Sequence, residues 1–161
     1  MRIAGVDVRG SGVRAALHPD GPVHTIPLEA RDIDTVLTAV QSALAPLGEL
    51  DAVGVAVPGF LEGDIVRASP NFPTWKHVPV RALLEQRLSL PVSIENDGTA
   101  AAAGAWSARG GSEDLVLLTL GTGVGGGAVL DGKIWRGRTG SAGELGHLYA
   151  GARELIEPLE A

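Results

Sequence analysis

The stretch RIAGVDVRGSGVRAALHPDGPVHTIPL, residues 2–28, decides the fold. Three runs of apolar and β-branched residues are separated by two turn signals, RGSG and HPDG, so the chain has to double back twice. This predicts a three-strand antiparallel meander: Arg2 to Val8, then VRAALH, then GPVHTIPL. Next, DIDTVLTAVQSAL places Ile33, Val36, Leu37, Val40 and Leu44 on one face at helical spacing, with Asp32 or Asp34 available to accept first-turn amides. A short buried strand, DAVGVAVPGF, follows, with Val53, Val55 and Val57 pointing one way and Pro58-Gly59 stopping it. A meander, a helix and another buried strand predict an α/β protein whose mixed sheet goes on with parallel strands.

Further along, LEGDIVRA reads as a small hairpin and SPNFPTWKHVP, with its three prolines, as an ordered loop. VRALLEQRLSL reads as a helix buried along Val80, Leu83, Leu84 and Leu88, PVSIEND as a strand, and GTAAAAGAWSAR as a helix ended by Gly110-Gly111. Then come the strand EDLVLLTL, a glycine-rich hairpin, the strand and turn GAVLDGKIWRG, and TGSAGELGH, read as a loop entering a helix. ARELIEPLEA reads as a short helix interrupted by Pro158. Gly110-Gly111 marks the expected boundary between a domain at 1–110 and the start of a second α/β domain at 111–161, incomplete and marginal as an independent domain.

Composition narrows the functional classes. The 161 residues are 45% hydrophobic and 20% charged, which supports a packed core rather than disorder. A formal charge of −6 without any basic block argues against a nucleic-acid partner. Cysteine is absent, so disulfides and thiolate metal sites are ruled out. No leader or membrane-spanning segment is readable, and a cytoplasmic location is expected.

Four constellations carry chemistry. Asp7, in GVDVRGSG, closes a buried strand beside a glycine turn; it either orients hydrated Mg²⁺ near a phosphate or accepts local amides in an ordinary hairpin. Gly121, Gly123, Gly125, Gly126 and Gly127 leave peptide edges bare, so amides near Thr122 and Gly123 can approach a phosphoryl group. A turn with a purely structural use has the same composition, and neither a Walker nor a dinucleotide fingerprint is present. Asn96 and Asp97, in IEND, stand at the C-terminal end of a predicted parallel strand, where open α/β sheets present ligand groups. Asp97 suits a proton acceptor and equally a helix cap. Glu144 and His147, in GELGH, fall on one side of a helical turn and suit neighbouring hydroxyls of a polyol.

These pieces, with VAVPG, SPNFPTWKHVPV and LTLGTGVGGGAVLDGKIWRG in the same order and spacing, resemble the ROK family, bacterial sugar kinases and sugar-responsive repressors, most closely its glucokinase branch. The likeness runs from residue 2 to about residue 148. It implies a ribonuclease-H-like, actin-like ATPase fold of two α/β domains. It also implies ATP-dependent phosphorylation of a hexose, with Asp97 as the base, Asn96, Glu144 and His147 on sugar hydroxyls and Gly59 lining that pocket. The turn of Asp7, Arg9, Gly10, Ser11 and Gly12 and the turn of Gly121, Thr122 and Gly123 would face the phosphates of ATP with Mg²⁺.

Departures from the family pattern bear on activity. The first turn usually reads Asp-X-Gly-Gly-Thr-Lys in this family; here Arg9 stands for a glycine, Ser11 for the threonine and Gly12 for the lysine. The family's cysteine-rich zinc site cannot form without cysteine, and spacing does not choose between Glu154 and Glu157 for a further sugar-binding glutamate. Family kinases run to about twice this length, so a homodimer or a separate C-terminal half is the expected protein partner. The competing readings are a non-catalytic sugar-binding or regulatory protein, and an inactive fragment. Against direct DNA binding, the chain opens on its first strand and not on a helix-turn-helix.

Overall fold

The computed structural model describes residues 1–121 and 123–147, together with the backbone of two short strands at 149–150 and 153–154. The chain separates into two compact units, Met1–Asp97 and Gly98–Ala161.

In the first unit, β1 (Ile3–Arg9), β2 (Gly12–Leu17) and β3 (His24–Pro27) form the expected meander, turning between β1 and β2 through Gly10-Ser11 alone. Helix α1 (Ile33–Leu44) is capped by Asp32, whose Oδ1 accepts from the Thr35 amide at 2.9 Å and whose Oδ2 accepts from the Thr35 hydroxyl at 2.6 Å. β4 (Ala52–Val57) runs parallel to β1, and β8 (Val92–Asn96) runs parallel to β4. The sheet order is therefore β3-β2-β1-β4-β8, an antiparallel meander continued by parallel strands, as the sequence predicts. Val6, Val8 and Val13 bury one sheet face against α1, and Val53, Val55 and Val57 of β4 join the same core as Val36, Val40 and Leu44. Valine dominates because a parallel centre packed under a helix favours β-branched side chains on the covered face.

Between β4 and β8 the chain makes a second small sheet of β5 (Phe60–Glu62), β6 (Ile65–Ala68) and β7 (Lys76–Val78), followed by α2 (Val80–Leu88). The segment read as a loop thus ends in a strand paired with β6. It is anchored by Phe72 and Trp75, both buried and stacked with ring centroids 4.3 Å apart. Three residues, with His77 in the left-handed region at φ 54°, are too few to show a strand period.

The second unit takes up helix α3 (Asp97–Ala108) from Gly98 on, followed by β9 (Leu115–Leu120), β10 (Val124–Leu130) and β11 (Lys133–Ile134), a second antiparallel meander. The two compact units divide at Asp97–Gly98, and within the second α3 packs on the strands that follow it. A Cβ on Gly127 of β10 would lie 2.8 Å from Ala102 Cβ and 2.8 Å from Thr99 Cα of α3. Gly110 and Gly111, at φ 90° and 66°, end the helix as expected.

Two helix expectations give way near the end. GELGH closes in a single 3₁₀ turn, Leu145–His147, since glycines on either side of Glu144-Leu145 weaken α-helix propagation. The segment read as a short helix around Arg153 instead supplies β13 (Arg153–Glu154), paired with β12 (Tyr149–Ala150); Glu157 lies outside the described residues. No helix among the described residues is long and apolar enough to cross a membrane.

Candidate active site

The C-terminal ends of the two adjacent parallel strands β4 and β8 hold the first group of candidates. Val57 pairs in register with Asn96, so the turn after β4 and the end of β8 lie side by side. Across that gap the Asn96 Nδ2 donates to the Gly59 carbonyl at 3.1 Å. Asp97 then opens α3, where a carboxylate in the first turn is favoured by the amides of the helix N-terminus. Gly59 sits at φ 123°, and a Cβ there would be 2.9 Å from both Cα and Cβ of Ser69 as well as against the Ala68 carbonyl. Its glycine identity is thus required by the β5–β6 hairpin crossing behind it.

The first turn is tight. Asp7, at the end of β1, has its carboxylate 3.7 Å from Arg9 Nε, and both side chains are about half exposed. A Cβ on Gly10 would be 3.0 Å from Asn71 Nδ2. The Ser11 carbonyl accepts from the Leu28 amide at 3.2 Å. Gly12 faces β3, with a Cβ there 2.8 Å from the Ile26 carbonyl. That contact accounts for glycine where the family pattern has lysine: as β3 is seated, no side chain fits.

In the second unit the five glycines of residues 121–127 divide by role. Gly121 has open space where a Cβ would go, and its amide donates to the Gly123 carbonyl at 3.0 Å across the hairpin turn; Thr122 lies outside the described residues. The other three are inside β10 and not in the turn. There Gly126 is a contact point for two other segments. A Cβ on Gly98 would be 2.5 Å from the Gly126 carbonyl oxygen, and one on Gly143 would be 2.6 Å from the same atom. Leu145 covers the other side, its Cδ1 lying 2.8 Å from where a Gly126 Cβ would stand, and Gly146 rests on the Val124 carbonyl. Close backbone approach therefore explains more of this cluster than a phosphate loop does.

That packing holds the 143–147 segment in place. Its 3₁₀ geometry brings positions three apart into line, and His147 Nε2 lies 3.9 Å from Glu144 Oε2. The Glu144 amide is held by the Ser141 carbonyl at 3.2 Å, and the His147 amide donates to the Glu144 carbonyl at 3.3 Å. Sequence reading missed two residues near the candidates, Ser69 behind Gly59 and Asn71 beside Gly10. Their signal was polar side chains inside a proline-rich segment between strands.

Residues 25–156 match the ROK family. Glucokinase of Thermotoga maritima is 42% identical over 132 residues, covering 80% of this chain and 38% of that protein. The xylose repressor of Caldicellulosiruptor bescii is 40% identical over 99 residues, 59% of this chain and 25% of the repressor. Among solved structures, a ROK family glucokinase from Streptomyces griseus in complex with glucose and AMPPNP superimposes with a TM-score of 0.83 at 33% identity, over 92% of this chain and 50% of that one. The chain spans about half the length of the curated relatives it matches. Its meander-plus-parallel sheet, its site motifs and the match over most of its length place it together: the chain belongs to the ROK family.

Proposed function

We propose that the chain carries the first part of an ATP-dependent hexose kinase, its N-terminal actin-like domain and the opening strands of a second α/β domain. Asp97 takes the proton from the acceptor hydroxyl, the sugar oxygen attacks the γ-phosphorus of ATP, and ADP leaves. Asn96, Glu144 and His147 bind hexose hydroxyls, and Gly59 forms part of the wall. Asp7, Arg9, Gly10, Ser11 and Gly12, with Gly121, Thr122 and Gly123, face the phosphates. A half-exposed carboxylate at a strand end suits hydrated Mg²⁺, which Asp7 would hold through water; bound with ATP, the ion makes the phosphoryl group more electrophilic. One observation carries the reading: Asn96 is fixed to Gly59 at the C-terminal ends of neighbouring parallel strands, immediately before the only carboxylate in the first turn of α3. The glucose and AMPPNP complex of the Streptomyces griseus relative supports it.

Asp97→Asn tests the assignment. The change keeps the side-chain size and a capping oxygen, so thermal unfolding should shift little. Hexose-dependent ATP consumption should fall by about 10²- to 10⁴-fold in kcat. Equal kcat in two equally folded proteins would remove Asp97 from the reaction.

A second reading, sugar binding without turnover in a regulatory protein, is favoured by the likeness to the xylose repressor and by the first turn. There Arg9 occupies a glycine position and pairs with Asp7, and Gly12 occupies the lysine position. It predicts hexose binding with no ADP released at any enzyme concentration.

A further inference from the structure

The second unit holds a cavity of about 550 Å³ lined by helix α3 and the β10–β11 hairpin, within the range of roughly 300–1,000 Å³ usual for small-molecule sites. Val129 and Ile134 give it apolar lining beside the half-buried ring of Trp106, and two cations, Lys133 and Arg136, line it as well. No carboxylate lines it, although the chain as a whole carries a formal charge of −6. None of the lining residues belongs to the candidate sugar- or phosphate-facing groups.

The lining is held in place by bonds of its own. Trp106 Nε1 donates to the Glu113 carbonyl at 2.7 Å, which fixes the indole, and a Cβ on Gly111 would be 3.2 Å from the ring's Cη2. Gly132 brings no side chain to the ring, where a Cβ would stand 3.9 Å from Cζ2. The hairpin that carries Lys133 is tied on both sides: the Asp131 amide donates to Asp114 Oδ1 at 2.8 Å, and the Trp135 amide donates to the Ala128 carbonyl at 2.8 Å. Lys133 is exposed, and among the described residues it forms no ion pair. Groups fixed in advance lose little freedom on binding. Lysine and arginine attract phosphate, and the flat apolar face of a sugar or a base stacks on indole. A neutral sugar would leave the cations unused, and an inorganic anion would leave the indole unused.

We propose that this cavity binds a phosphorylated small molecule, its phosphate on Lys133 and Arg136 and its flat apolar face on Trp106. The site is independent of Asp97 and of phosphoryl transfer. Sugar phosphates and nucleoside monophosphates share the required chemistry.

Titration of the whole ¹⁵N-labelled chain with glucose 6-phosphate, AMP and inorganic phosphate, each with glucose present in excess, tests the site and separates the two sources. At least one organic phosphate should move amides at 103–107 and 129–136 with a Kd of about 1 mM or below, and inorganic phosphate should bind about tenfold more weakly. Movement with glucose 6-phosphate alone identifies a sugar phosphate, and movement with AMP alone a nucleotide; movement with both identifies a site for phosphate on any flat carrier. Lys133→Gln keeps most of the stem of an exposed residue, so it should melt with wild type while raising that Kd about tenfold. The proposal is overturned if neither organic phosphate moves these amides at millimolar concentration, if inorganic phosphate binds as tightly as they do, or if Lys133→Gln leaves the Kd unchanged. None of these results bears on the hexose-kinase reading, whose amides lie at 94–98 and 143–147.

Discussion

Asp32 shows how one residue's chemistry fixes a boundary. Hydrogen bonds from the side chain and then the backbone of Thr35 hold its carboxyl below the usual carboxylate range. A group whose folded pKa is depressed contributes stability above its unfolded pKa, and that contribution is lost as pH falls through the folded value. Asp32→Ala should therefore lower the melting temperature at neutral pH, with the difference from wild type shrinking as pH falls below about 4. A difference constant from pH 7 to pH 2 would contradict the cap. At Gly12, reinstating the family's lysine looks like a repair, yet the Ile26 carbonyl occupies the place of the Cβ. Gly12→Lys should destabilise by about 1–3 kcal/mol through overpacking, read from urea unfolding. A stable variant with tighter ATP binding would show that β3 yields easily.

Among elements, the meander, α1 and β4 were legible because each repeats a pattern over several residues. Alternating valines meet a covered face, a 3.6-residue period meets a capping aspartate, and glycine turns separate the strands. β7 was not legible, since Lys76-His77-Val78 is too short for a period and a proline-rich segment precedes it. The candidate residues of IEND were readable from their place after a buried strand; Ser69 was not, because only three-dimensional burial distinguishes it from any loop serine. The glycine cluster was ambiguous for a physical reason: a missing side chain serves a turn, an anion or close backbone contact equally well. Spatial context separates these uses. In α3, Gly104 has open space at its Cβ position whereas Gly98 meets the Gly126 backbone. Gly104→Ala should thus stabilise by about 1 kcal/mol through helix propensity, and Gly98→Ala should destabilise. Thermal melts of the two variants shifting in the same direction would contradict the junction at Gly126.

Among the described residues, the second unit carries an exposed apolar stripe. β9 is an edge strand of the described sheet, and Val116, Leu118 and Leu120 alternate along one face with exposures of 64%, 53% and 77%. Paired with an open strand edge, such a stripe favours association with other polypeptide. Leu118→Lys should reduce concentration-dependent self-association in sedimentation velocity; identical profiles for the variant and wild type would show that the stripe is not the contact. Sugar binding is open to test on the chain itself, whatever supplies the remainder of a catalytic enclosure. Titration of ¹⁵N-labelled protein with glucose measures it most directly. Amide resonances at 94–98 and at 143–147 should move together with one dissociation constant at millimolar glucose or below. No movement at either segment with glucose, mannose, fructose or N-acetylmannosamine would contradict the account.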